Sequence, residues 1–127
     1  MRIAVVTETY PPEINGVALT VQALVHGLVA HGHSVDLIRP RQPQPSPNEA
    51  DIDELLTRGA ALPWYPGLRF GLPARRVIEQ HWCKRMPDAV YVATEGPLGL
   101  SALRAAKNLG VPASTGFHTR FDDFARH

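Results

Sequence analysis

The chain has 127 residues, near the usual size of one domain and too short for two complete ones. Hydrophobic residues make up 44% and charged residues 20%, as in globular chains with a packed core, which excludes disordered, collagen-like and coiled-coil classes. Lys and Arg number 13 against 12 Asp and Glu, a net charge of +1, so the broad basic surface of a nucleic-acid-binding module is excluded and partners must be sought at local sites.

Residues 3–7, Ile-Ala-Val-Val-Thr, form a short apolar run rich in β-branched side chains, the signature of a strand buried on both faces. The run stops at Thr7 and Glu8, too soon for a signal peptide or a membrane span. After Pro11, Pro12 and Gly16, the spacing of Val17, Val21, Leu24 and Leu28 predicts an amphipathic helix from about Val17 to His31, stopped by Gly32. Residues 35–38 read as a second strand ended by Pro40, so the chain opens with a βαβ unit.

Proline, 12 of 127 residues, is the one compositional excess, and four prolines fall between Pro40 and Pro47. Residues 41–60 are accordingly expected to be an exposed loop region, with a short helix over Asp51 to Arg58. One irregular strand is expected across Ala60 to Trp64 and Leu68 to Phe70. Pro73 opens a predicted helix to about Arg85 that turns Val77, Ile78 and Trp82 inward. Residues 89–93 form a strand, and Pro97 starts a helix whose apolar spacing is Leu100, Leu103, Ala106 and Leu109, ended by Gly110 and Pro112. A last strand covers Ala113 to Phe117. The order predicts an α/β, Rossmann-like, doubly wound parallel sheet, whose ligands bind beyond the carboxyl ends of the strands.

Three post-strand segments are therefore candidate sites. Asn15, Gly16 and Val17 lie at a helix start, where free amides and the helix dipole favour an anion, although Asn15 also suits a plain helix cap. Glu95 and Glu8 suit either hydrogen bonding to a substrate or, the reading that position favours, interaction with the following helix's positive end. His118, just past the last strand, suits a sugar hydroxyl or a developing charge, or a surface role. The glycine patterns of dinucleotide and NTPase phosphate loops are absent, which disfavours a nicotinamide or flavin enzyme. Neither His31-Gly32-His33 nor Asp122-Asp123 has metal-ligand spacing. The single Cys83 makes no internal disulfide and suits a reducing cytosol. Arg69, Arg75, Arg76, Lys84 and Arg85 form either a solvated face or an attraction for anionic headgroups.

The loop YPPEINGV, the helix start EGPLG and the FHT after the last strand, in that order, resemble the N-terminal domain of retaining glycosyltransferases of family 4 with the GT-B fold, a group that includes bacterial α-mannosyltransferases and glycolipid synthases. The resemblance implies a two-domain enzyme of which this chain is the acceptor-side half, incomplete at its C-terminus and inactive alone. It implies transfer of a mannose- or glucose-type hexose from a nucleotide-diphosphate sugar to a lipid or glycan hydroxyl, with no cofactor and no essential metal. It places Gly16, with Asn15 and Val17, near the donor diphosphate and His118 beside the transferred sugar as the catalytic candidate. Glu95, Thr119 and Tyr10 are the acceptor-side candidates. A cytoplasmic location is implied, with peripheral contact at the inner membrane face. The competing reading is a non-catalytic carbohydrate- or lipid-binding module that works with a partner chain.

Overall fold

The computed structural model describes residues 1–10, 16–41, 52–61, 69–71, 73–94 and 96–116. The elements run β1 (Arg2–Val6), α1 (Gly16–Ala30), β2 (Ser34–Pro40), β3 (Ile52–Thr57), β4 (Gly59–Ala61), β5 (Arg69–Gly71), α2 (Arg75–Lys84), β6 (Ala89–Val92), α3 (Pro97–Leu109) and β7 (Ala113–Thr115). Five parallel strands form one sheet in the order β3-β2-β1-β6-β7, and β4 pairs antiparallel with β5. The strand order grows outward from β1 in one direction and then, from β6, in the other. The β1/β6 boundary is therefore the point at which an open parallel sheet leaves its ligand crevice.

The central strands are apolar on both faces because both are covered. Val5, Val35 and Leu37 pack against Val21 and Val25 of α1. Ala4, Val6, Ile38, Val90 and Val92 pack against Ile78 and Trp82 of α2 and against Leu98, Ala102, Ala105 and Ala106 of α3. The small residues on α3 let it lie close to the sheet. Gly110 ends α3 in the left-handed conformation at φ 72°, its N–H returning to the carbonyls of Ala106 and Lys107.

Several expectations are corrected. Residues 52–57 are neither loop nor helix: they form β3, paired in parallel with β2 from Val35↔Ile52 to Pro40↔Thr57. Ile52 packs on the α1 side and Leu55 on the α2/α3 side, a two-sided burial that alternating strand residues supply and a single helical stripe does not. The segment Ala60 to Phe70 is not one strand but holds β4 and part of β5, paired with each other. Inward-facing positions also shift. Val17, Val77 and Leu100 are exposed, and the buried stripe of α1 is Ala18, Val21 and Val25. Apolar side chains lie on several sides of α1, with Val17, Leu19 and Leu24 exposed beside the buried Val21 and Val25, so its periodicity does not single out the buried side.

At the amino ends of the strands, a polar hub ties α2 to the sheet. The fully buried Asp36 accepts from His81 Nε2 at 2.8 Å and Trp82 Nε1 at 3.2 Å, and faces Arg2 Nη2 at 3.8 Å. Arg2 Nη1 bonds Asp53 at 2.8 Å, and the Arg2 backbone N–H donates to Asp88 at 2.7 Å. Removing the shared acceptor leaves the buried Trp82 N–H and the half-buried His81 without it and takes from buried Arg2 one of its two carboxylates, so Asp36→Ala should lower unfolding free energy by about 3–5 kcal/mol in urea denaturation. A loss below about 1 kcal/mol, the scale of a surface pair, would contradict this role.

Candidate functional site

The opposite, carboxyl end of the sheet carries the loop after β1. Thr7 begins it, its N–H on the Ile38 carbonyl at 3.0 Å, its hydroxyl donating to the Thr9 carbonyl at 2.7 Å and accepting from the Thr9 N–H at 3.2 Å. This local ring turns the chain and leaves Thr7, Glu8, Thr9 and Tyr10 all buried at the crevice floor. Tyr10 packs on the α1 side of the sheet with the Arg39 guanidinium 5.6 Å from its ring centroid. Arg39, at the end of β2 and 2% exposed, pairs with Glu54 at 3.4 Å.

Two helices begin at this crevice, and the sequence treats them oppositely. α3 begins at Pro97 after Gly96, which has no side chain with which to cap it. Glu8 does that work from across the β1/β6 boundary. Its Oε1 accepts from the Gly99 N–H at 3.1 Å, and the Leu98 N–H also donates to the carboxylate. Its Oε2 accepts from the Thr94 hydroxyl, while the Thr94 oxygen accepts from the Glu8 backbone N–H at 2.7 Å. Of the two roles open to Glu8, the structure selects the helix partner, but of α3 rather than of the helix that follows it in sequence.

The glycines of EGPLG follow from this contact. A Cβ on Gly96 would overlap Glu8 Oε1, and one on Gly99 would overlap the Thr94 carbonyl and stand 2.9 Å from Val92 Cγ1. By contrast, α1 begins at Gly16 with no acid in its first turn, and among the described residues a Cβ on Gly16 would meet nothing within 4 Å. Val17 beside it is exposed. Of the two helix starts at this end of the sheet, that of α3 already holds the Glu8 carboxylate.

The structure therefore places Gly16, Val17 and Tyr10 at one end of the sheet. Asn15, Glu95, His118 and Thr119 lie outside the described residues. The chain direction and the end of β7 bring Gly116 to the same edge of the sheet, where it lies against the Tyr91 hydroxyl. Sequence reasoning missed Thr94 and the capping role of Glu8. The available signal was a helix start with two glycines and no capping side chain of its own. Among the described residues, no group of three His, Cys, Asp or Glu side chains converges as a metal site would require. The basic positions of α2 are partly neutralised: Arg75 lies 3.8 Å from Glu79, and Arg85 lies 3.4 Å from Asp53. None of the described helices is long and apolar enough to cross a membrane.

Burial pushes the Glu8 carboxyl above the ordinary carboxylate range, against the opposing pull of the hydrogen bonds from Thr94, Gly99 and Leu98. A carboxyl with a raised folded-state pKa binds its proton more tightly folded than unfolded. Its contribution is thus fully present below the unfolded value and is lost as pH rises through the folded one. Wild-type stability relative to Glu8→Gln should therefore fall as pH rises across that window. A difference between the two that is flat with pH, or that grows with it, would contradict the burial argument.

Residues 14–127 match the sequence profile of Glycosyltransferase Family 4. The chain is 33% identical over 129 residues to a GDP-mannose-dependent alpha-mannosyltransferase of Mycolicibacterium smegmatis, covering 98% of this chain and 34% of that protein. It is 32% identical over 131 residues to an alpha-monoglucosyldiacylglycerol synthase of Acholeplasma laidlawii, covering 100% of this chain and 32% of that protein. The chain thus spans about a third of the length of the curated relatives it matches. Among solved structures, Acinetobacter baumannii MurG shares the fold at a TM-score of 0.59 and 16% identity, over 90% of this chain and 34% of that one. A sugar transferase of Siraitia grosvenorii solved with UDP gives a TM-score of 0.53 at 14% identity, over 91% of this chain and 27% of that one. With an α/β parallel sheet of the kind found in GT-B enzymes, and a profile match over most of its length, the chain belongs to Glycosyltransferase Family 4.

Proposed function

We propose that the chain is the acceptor-side half of a retaining glycosyltransferase that moves a mannose- or glucose-type hexose from a nucleotide-diphosphate sugar to a hydroxyl of a lipid or glycan. The observation that carries this reading is the pair of helix starts at the β1/β6 boundary, one closed by Glu8 and the other, at Gly16, with no acid in its first turn. The names of the relatives support the sugar and acceptor classes, one a mannosyltransferase dependent on GDP-mannose and one a synthase of a glucosylated diacylglycerol.

In this mechanism the donor diphosphate lies at the amino end of α1. The helix dipole and the first-turn N–H groups at Gly16 and Val17 face the charge that grows on the departing nucleoside diphosphate. These donors are fixed before the reaction, so they stabilise that charge without reorganising. His118 lies beside the transferred sugar and orients it, Asn15 flanks the phosphates, and Glu95, Thr119 and Tyr10 line the acceptor side. Phosphate charge is met by amides, and no cofactor or essential metal takes part. Turnover requires the further length that the relatives possess, so the 127 residues alone are inactive.

The acceptor class sets the location. A lipid acceptor places the enzyme at the cytoplasmic membrane face, where exposed Arg76 and Lys84 on α2 each add about 1 kcal/mol of attraction to anionic headgroups. Exposed Val77 and Met86 lie on the same segment and supply apolar contact.

The test is a screen of the intact protein with GDP- and UDP-sugars against lipid and sugar acceptors, reading nucleoside diphosphate release and the anomeric configuration of the product. Transfer with retention is expected, and inversion or no transfer would contradict the reading. In the same assay Gly16→Val should fold normally, because its side chain meets none of the described residues, yet raise the donor KM at least about tenfold, or about 1.4 kcal/mol. His118→Ala should lower kcat/KM with the fold intact, and unchanged kinetics would remove His118 from the site.

A further inference from the structure

The two rims of the crevice come from segments 86 residues apart in sequence, the loop after β1 and the turn between β6 and α3. Here they are joined directly and reciprocally. The Glu8 backbone N–H donates to the Thr94 hydroxyl oxygen at 2.7 Å, and that hydroxyl donates back to Glu8 Oε2. The other carboxylate oxygen takes the Gly99 N–H at 3.1 Å. The fit is steric as well as polar, since Gly96 leaves only enough room for the carboxylate and Gly99 lies directly on the Thr94 carbonyl.

From this geometry we propose that Glu8 is a positioning residue for sugar transfer: it clamps the β6–α3 turn to the β1 loop and so holds the acceptor side of the crevice in register with the donor side. The proposal rests on the transferase reading above and adds a role that touches neither substrate. Glu8 acts through the backbone of α3's first turn and through Thr94. Misplacing a rim by about 1 Å is enough to reduce a well-oriented reaction roughly a hundredfold.

The chemistry of the clamp specifies which substitutions preserve it. Glutamine retains both contacts, with Oε1 accepting from Gly99 and Nε2 donating to the Thr94 oxygen, which has a second lone pair free for it. Serine at position 94 keeps the hydroxyl. Alanine at position 8 leaves the Leu98 and Gly99 N–H groups without the carboxylate, and valine at 94 keeps the shape of threonine but can neither donate to Glu8 nor accept from it.

The experiment is steady-state kinetics of the intact enzyme with donor and acceptor varied separately, for Glu8→Ala, Glu8→Gln, Thr94→Val, Thr94→Ser and the Glu8→Ala/Thr94→Val pair, each assayed well below its own melting midpoint. Glu8→Ala and Thr94→Val should each raise the acceptor KM about tenfold and lower kcat ten- to a hundredfold, with donor KM within about twofold of wild type. Glu8→Gln and Thr94→Ser should stay within about threefold of wild type, and the double variant should be no worse than the worse single one.

A purely structural role would lower kcat in proportion to folded protein and move neither KM, and that result would overturn the proposal. So would wild-type kinetics in Glu8→Ala, a Glu8→Gln enzyme as impaired as Glu8→Ala, or additive losses in the double variant. If Glu8→Ala fails to fold, the Thr94→Val and Thr94→Ser pair decides by the same criteria. A wild-type enzyme that transfers no sugar would instead refute the transferase reading, so the two failures are distinct.

Discussion

The contact on which the crevice depends is the Glu8 carboxylate at the amino end of α3. It joins three demands that a parallel sheet makes at its switch point. The first turn of α3 has N–H groups with no intrahelical partner, its N-cap Gly96 offers no side chain, and the two rims of the crevice come from opposite ends of the chain. One buried carboxylate meets all three. It is held there by hydrogen bonds from Thr94, Gly99 and Leu98 while burial disfavours its charge. Because that helix start is filled from within, the proposed donor site is assigned to the start of α1 instead.

The two ends of the sheet divide the work. At the amino ends of the strands, Asp36 gathers His81, Trp82 and Arg2 into a hub that fixes α2 and is far from the crevice. At the carboxyl ends, polar groups brace the loops, as Thr7 and Thr94 do. The apolar core between them, with Val5 and Val6 of β1 turned to opposite faces, keeps the two ends in fixed relation. Strong polar interactions therefore occur at both ends of the same strands for different reasons, one for stability and one for shape.

Much of this was legible in the residues. The runs at 3–7 and 35–38 read as strands because apolar β-branched residues bounded by polar ones fit two-sided burial, and Gly32 and Gly110 read correctly as helix stops with positive φ. Residues 52–57 are ambiguous because IDELLT carries two acids and two leucines, which locally suit a helix as well as a strand. The decision lay with the free edge of β2 and with Arg2 and Arg39, whose charges meet Asp53 and Glu54 only once the strands are paired. The buried stripe of α1 is hidden because apolar residues lie on several of its sides and give no single preferred one. The site is half legible: Gly16 stands out by its place after a strand, whereas the link from Glu8 to Gly99 spans 91 residues and leaves no local pattern except Gly96, which makes room for the carboxylate.

The central claim is that one helix start is closed by Glu8 and the other receives the donor's phosphates. The most direct measurement is a titration of the intact, isotope-labelled protein with GDP and UDP, following backbone amide resonances by NMR. The account predicts saturable shifts at the Gly16 and Val17 amides, with those of Leu98 and Gly99 unmoved because Glu8 already occupies them. Shifts centred on Leu98 and Gly99, with Gly16 and Val17 silent, would contradict it.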